Sequence, residues 1–167
     1  MVKIGDKLPA GTLAETLEFD AASGCPLAPK SVDVAASAAG KTIVIFAVPG
    51  AYTPTCSMQH LPGYVEDADA LKAKGVDEIW CVAVNDPFVM AAWGRDCKAT
   101  GKVRMLGDGS GLWTKALGLE LNLIEKGLGM RSQRYSMLVK DGVVTRLNVE
   151  ESGLKVSDSG TMLTQLG

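Results

Sequence analysis

The chain reads as an α/β protein, and three observations predict it. Apolar runs too short for helices, at residues 43–48, 78–84 and 103–106, alternate with segments of helical spacing. The first two runs end in a turn or capping residue followed closely by proline, the punctuation of a strand feeding a helix. Near the C-terminus, Lys140-Asp141-Gly142 separates two further apolar runs, a hairpin signal. With 167 residues, the sequence suits a single domain spanning positions 1–167.

Residues 1–40 are loosely patterned, with turn material at Gly5-Asp6, Pro9-Ala10-Gly11 and Ser23-Gly24-Cys25-Pro26. Short strands and a hairpin are expected there, with Cys25 in an exposed loop. The run Ile43, Val44, Ile45, Phe46, Val48 is a buried strand, closed by Pro49-Gly50. Thr53 is a suitable N-cap and Pro54 a suitable first helical residue, which puts Cys56 in the first turn of a helix. Pro62-Gly63 predicts a kink or break in that helix. Tyr64, Val65, Ala68 and Leu71 then keep helical spacing until Lys74-Gly75.

The run at 78–84 reads as a parallel strand, and Asn85-Asp86-Pro87 caps a helix that ends near Thr100-Gly101, with Cys97 towards its end. Residues 103–106 form a third strand. The string 107–111 is glycine-rich but lacks the spacing of a phosphate cradle, so it reads as a loop before a short helix at 112–117. Residues 118–131 read as an irregular connector able to fold over a site. Strands at 134–139 and 143–149 flank the Asp-Gly turn, and 157–166 is a capped terminal helix. This order is that of a thioredoxin-like fold with extra N-terminal strands. Right-handed crossovers would gather the strand-end loops, including 49–55, along one edge of the sheet.

Composition excludes several functions. A formal net charge of −2 with 22% charged residues offers no basic surface for nucleic acid or an anionic membrane. No apolar run approaches the ~20 residues of a bilayer span. The start, MVKIGDKLPAG, has neither a signal-peptide core nor a transit pattern, so a cytoplasmic location is expected. Four cysteines without a secretory signal, no Cys-x-x-Cys and a single histidine, His60, argue against a disulfide framework or a zinc site. Thiol chemistry is the better use for them.

Cys56 is the candidate nucleophile. Unpaired N–H groups and the positive end of the helix dipole stabilise thiolate over thiol at a helix start. Thr53-Pro54-Thr55-Cys56 is similar to a thioredoxin redox turn in which the first cysteine has become a hydroxyl. Such a hydroxyl cannot resolve a disulfide but can bond an atom held beside the sulfur. His60, four residues on, shares the Cys56 helix face and is expected to serve in packing or capping rather than in tuning the sulfur.

The pattern Pro49-x-x-x-Thr53-x-x-Cys56, within VPGAYTPTCSMQHLPGY, resembles the active-site motif of peroxiredoxins, in their type II (peroxiredoxin-five-like) branch. The resemblance runs from Gly5 to about Leu166 through KGVDEI, VNDPFVM, DGSG, LGLEL and KGLGMRSQRYSM. It implies a cysteine-dependent peroxidase that reduces hydrogen peroxide and alkyl hydroperoxides, with no cofactor and no metal. By that resemblance Cys56 attacks the peroxide, the Thr53 hydroxyl and the Cys56 N–H bond its oxygens, and Pro49 shields the sulfenic acid. The family's active-site arginine corresponds to Arg134, which begins a strand; Arg131, in the preceding loop, is the competing candidate.

The resemblance also divides on how the sulfenic acid is reduced. The C-terminal segment 153–159 lacks the resolving cysteine of animal-type relatives, whereas Cys81, 25 positions after Cys56, matches that of plant-type relatives. Cys81 is therefore the possible resolving residue, with a buried structural thiol as the alternative, because it sits within an apolar strand and a disulfide needs Cα atoms within about 7 Å. The implied reductants are glutaredoxin, glutathione or thioredoxin, and the implied assembly is a homodimer through an apolar patch near residues 49–52. A different class, a peroxide-sensing relay that passes oxidation to partner proteins, uses the same thiol. A thiol-disulfide exchange catalyst is disfavoured by the missing Cys-x-x-Cys.

Overall fold

The central strand β3, Thr42–Ala47, divides its side chains between two cores. Ile43, Ile45 and Ala47 enter one apolar cluster, whereas Val44, Phe46 and, just beyond the strand, Val48 enter the other. Period-2 alternation with both faces covered explains why the run is apolar throughout. A computed structural model describes the chain from Met1 to Gly167.

Strands β1 (Thr12–Glu15) and β2 (Lys30–Asp33) form the expected antiparallel pair. A short helix α1, Val34–Ala38, follows; it was not legible in the sequence and begins where the Asp33 carboxylate accepts the Ala36 N–H. After β3 come α2 (Leu61–Glu66), α3 (Ala68–Ala73), β4 (Glu78–Ala83), α4 (Pro87–Asp96) and β5 (Arg104–Gly107). Strands β3, β4 and β5 are parallel, joined by helical crossovers. Then come α5 (Leu112–Leu117), β6 (Glu120–Leu123), β7 (Gly129–Ser132), β8 (Tyr135–Lys140), β9 (Val143–Val149) and α6 (Ser159–Leu166). The seven-stranded sheet runs β2-β1-β5-β4-β3-β8-β9, with β8 antiparallel to β3. Asp141 and Gly142 both take positive φ, 48° and 76°, as the tight hairpin between β8 and β9 requires.

Four local readings are corrected. Residues 118–131 are not an irregular connector but the separate hairpin β6–β7, so Arg131 lies in a strand rather than a loop. The alternation Glu120-Leu121-Asn122-Leu123 in β6 spans only four residues and β7 has none to match it, so the ribbon leaves a weak signal in the sequence. Pro62-Gly63 does not break its helix. Instead a π-turn at Cys56–His60 precedes it, with the Leu61 N–H reaching the Cys56 carbonyl, and this wider turn relieves the clash a proline ring makes with an α-helical carbonyl. Helix α4 ends at Asp96, before Thr100-Gly101. Arg134 stands immediately before β8 rather than within it.

Candidate active site

The first structural task of the site is to turn the chain sharply after β3. Thr53 donates its hydroxyl to the Gly50 carbonyl (2.8 Å), Ala51 N–H donates to Asn85 Oδ1 (2.9 Å), and Tyr52 adopts φ 62°. The Tyr52 hydroxyl donates to Asp96 (2.7 Å), tying the turn to the end of α4. At Gly50 a Cβ would stand 2.9 Å from the Arg131 guanidinium, so a larger residue there would push that side chain aside. The helix then starts at Pro54, and the Ser57 N–H bonds to the Thr53 carbonyl (2.9 Å). Thr53 thus stands at the N-cap through its backbone. Its hydroxyl serves the turn.

This turn and the π-turn after it bury Cys56 completely. A thiolate in such a place needs a cation within hydrogen-bond reach. The register supplies it: Ala47 pairs with Tyr135 across β3 and β8, so Arg134 stands just past the ladder, beside the end of β3. Its Nη2 donates to Cys56 Sγ at 3.1 Å. Its Nη1 faces His60 Nδ1 at 3.0 Å. His60 Nε2 in turn lies 3.0 Å from the Ser157 carbonyl, which also accepts from the Tyr64 hydroxyl at 2.9 Å.

Those partners fix the tautomer of His60. A carbonyl accepts and a guanidinium donates, so the proton sits on Nε2 and Nδ1 is the acceptor. Burial lowers the His60 pKa to about 4, with Arg134 adding to the effect against the opposing bond to Ser157, and the ring is neutral at pH 7. Phe46 stacks on Tyr64 with centroids 4.1 Å apart and lies tilted against His60 at 4.9 Å. The expected packing role of His60 is present, and with it a second one, as acceptor for the arginine.

The other named residues separate into those near the thiol and those apart from it. Arg131 bonds the Leu128 carbonyl through Nε (2.7 Å) and the Pro49 carbonyl through Nη1 (3.4 Å), so it braces the turn while Arg134 holds the sulfur. Cys81 is completely buried in β4 within the same apolar cluster as Cys56; both are free thiols. Burial pushes the Cys81 thiol well up. Cys25 is exposed and Cys97 half-buried. No group of three or more His, Cys, Asp or Glu side chains is arranged to hold a metal. Sequence reasoning missed the Ser157 carbonyl and the Glu150 carboxylate behind it, because a backbone acceptor on a loop has no residue-type signal.

The structure thus places a buried thiol beside a guanidinium at a strand-to-helix turn. The redoxin family model matches residues 3–163. The chain belongs to the redoxin family. Among its members it is similar to peroxiredoxin-2B of Arabidopsis thaliana, 47% identical over 99% of this chain and 98% of that protein. It is 51% identical to peroxiredoxin-2C of rice (Oryza sativa subsp. japonica), over 91% and 90% of the two chains. Reduced Prx3 of Vibrio vulnificus, crystallised with hydrogen peroxide, superposes with a TM-score of 0.90 at 48% identity over the full length of both chains. The molecule is a type II peroxiredoxin of the plant kind with a thioredoxin-like fold, a cysteine-dependent peroxidase that reduces peroxides. No helix of this peroxiredoxin is long and apolar enough to cross a membrane.

Proposed function

We propose that Cys56 is the nucleophile and that Arg134 is its electrostatic partner. The 3.1 Å contact between Arg134 Nη2 and Cys56 Sγ carries this reading. A charge-assisted bond in a dry site favours the thiolate and remains available as negative charge moves onto oxygen. The thiolate attacks the terminal oxygen of the hydroperoxide; the S–O bond forms as the O–O bond breaks. Sulfur loses two electrons, the peroxide gains them, and the leaving oxygen takes a proton to become water or alcohol.

Thr53 has a sharper role here than that of a donor. Its proton is already given to the Gly50 carbonyl, so its free lone pairs accept the O–H of an incoming hydroperoxide and orient it. The Cys56 backbone N–H is the proposed donor to the peroxide, and Pro49 the shield of the sulfenic acid.

For reduction, the deep burial and raised pKa of Cys81 disfavour it as an attacking thiolate. We propose that an external thiol, glutathione or the active-site thiol of glutaredoxin, attacks the Cys56 sulfenic acid. Water leaves, a mixed disulfide forms, and a second thiol releases the Cys56 thiolate and a disulfide. Thioredoxin is the competing donor. The proposed assembly is a homodimer, since Tyr52, Met58 and Phe88 remain exposed on the segments flanking the site. A reducing cytosol, which keeps all four thiols free, is the proposed setting.

Peroxide consumption coupled to each donor, with mass spectrometry of trapped Cys56 sulfenic acid, tests the reading. Turnover is expected with glutathione and glutaredoxin, lost in Cys56→Ser with the fold intact. Retained turnover in that variant would refute the choice of nucleophile.

A further inference from the structure

The backbone of Arg134 is held by a residue that the peroxidase reading leaves unused. The Glu150 N–H donates to the Arg134 carbonyl at 2.9 Å, extending the β8–β9 pairing one residue past Tyr135 and Val149. The Glu150 side chain, itself buried, turns the other way. Its Oε1 accepts the N–H groups of Lys155 (2.8 Å), Val156 and Ser157 (2.9 Å), and its Oε2 also accepts Lys155 N–H (2.9 Å). Three successive backbone N–H groups therefore converge on one carboxylate, the concave arrangement that selects an anion. Gly153, at φ 71°, lets the chain reverse so that 155–157 return over 150.

The consequence lies one atom further along. Fixing the Ser157 N–H side of this loop fixes the Ser157 carbonyl, which takes the His60 Nε2 proton and the Tyr64 hydroxyl. His60 then presents Nδ1 to Arg134, and Arg134 presents Nη2 to the sulfur. We propose that Glu150 is a positioning residue for peroxide reduction, acting through the Ser157 carbonyl and His60 on the Arg134 guanidinium; this rests on the reading of Cys56 and Arg134 as the reacting pair. A loop held merely for stability would not need its carbonyl aimed at the one histidine that bonds the site's arginine.

Glu150→Gln keeps shape but replaces one acceptor oxygen with an NH2 facing a backbone N–H, so the 155–157 backbone loses its register. The rate of Cys56 oxidation by hydrogen peroxide is measured by stopped flow for wild type, Glu150→Gln, His60→Asn and the double variant, below each melting temperature. Glu150→Gln is expected to be about tenfold slower, and the double variant no slower than the slower single, because both act on one chain of contacts. Alkylation of Cys56 by iodoacetamide should also need a higher pH in Glu150→Gln than in wild type. Should Glu150→Gln not reach the native circular dichroism spectrum, Glu150→Asp replaces it in the same cycle. An unchanged oxidation rate and alkylation profile, or losses that multiply in the double variant, would overturn the proposal. A wild type no faster than free cysteine would instead overturn the peroxidase reading beneath it.

Discussion

Arg134 and Cys56 are 78 positions apart in the chain, yet Nη2 of one donates to the sulfur of the other across 3.1 Å. The contact is made by sheet register. The antiparallel pairing of β8 with β3 sets Arg134 beside the turn that β3 feeds, and the proline-led helix start brings Cys56 back to meet it.

Removing that cation leaves the buried Cys56 sulfur without its charged donor. Arg134→Gln is expected to slow Cys56 oxidation by about 10²–10³-fold, the usual loss for one preorganised donor to developing charge. Arg131→Gln, which loses the bonds to the Leu128 and Pro49 carbonyls but no contact with the sulfur, should cost less than this. Stopped-flow oxidation of both variants checks the order, and the reverse order would exchange the two assignments.

His60 gives the fold an acid limit. Its pKa is about 4 in the folded chain against an ordinary value of about 6.5, so below the ordinary value the unfolded chain binds a proton that the folded chain refuses. Stability is therefore whole above about pH 6.5 and declines as pH falls towards about 4. Hydrogen bonds from Lys155, Val156 and Ser157 outweigh burial and lower the Glu150 pKa, and this contribution too is lost on acidification. Denaturant melts from pH 7 down to about 4 should show the His60 decline, which His60→Asn should flatten, and the Glu150 loss should follow at lower pH.

Cys81→Ala is expected to keep turnover with glutathione and glutaredoxin, since the Cys81 thiol is sealed in β4 and burial holds it protonated. Steady-state assays with each donor check this. A loss confined to thioredoxin would assign Cys81 to an intramolecular disulfide with that donor.

At the opposite end of the parallel strands, Arg104 bridges Glu15 (2.5 Å) and Glu78 (2.7 Å) while Lys41 takes the other Glu78 oxygen (2.8 Å). Arg104→Met would leave the largely buried Glu15 carboxylate without its cation, whereas Glu78 keeps Lys41 and the Trp80 indole N–H. A loss of about 2–3 kcal/mol in urea melts is expected, towards the low side for a broken buried pair because Arg104 keeps some solvent contact. The oxidation rate of Cys56 should be unchanged in this variant.

The strands, the cap at Asp86, the Asp141-Gly142 turn and the helix start at Pro54 were legible because each is dictated by neighbours in sequence. The Cys56–Arg134 pair was readable only through the family motif, since no local rule joins residues on β3's turn and β8's start. His60 was visible by its spacing from Cys56, but its bond to Arg134 depends on tertiary packing. The hairpin β6–β7 was hidden by the shortness of its four-residue strands, and the Glu150–Ser157 link by resting on a backbone N–H.

The most direct measurement is the second-order rate of Cys56 oxidation by hydrogen peroxide in the reduced wild-type protein near neutral pH. With Arg134 as the proposed electrostatic partner, Cys56 should react at least about 10³-fold faster than free cysteine under the same conditions. A rate equal to that of free cysteine would contradict the account.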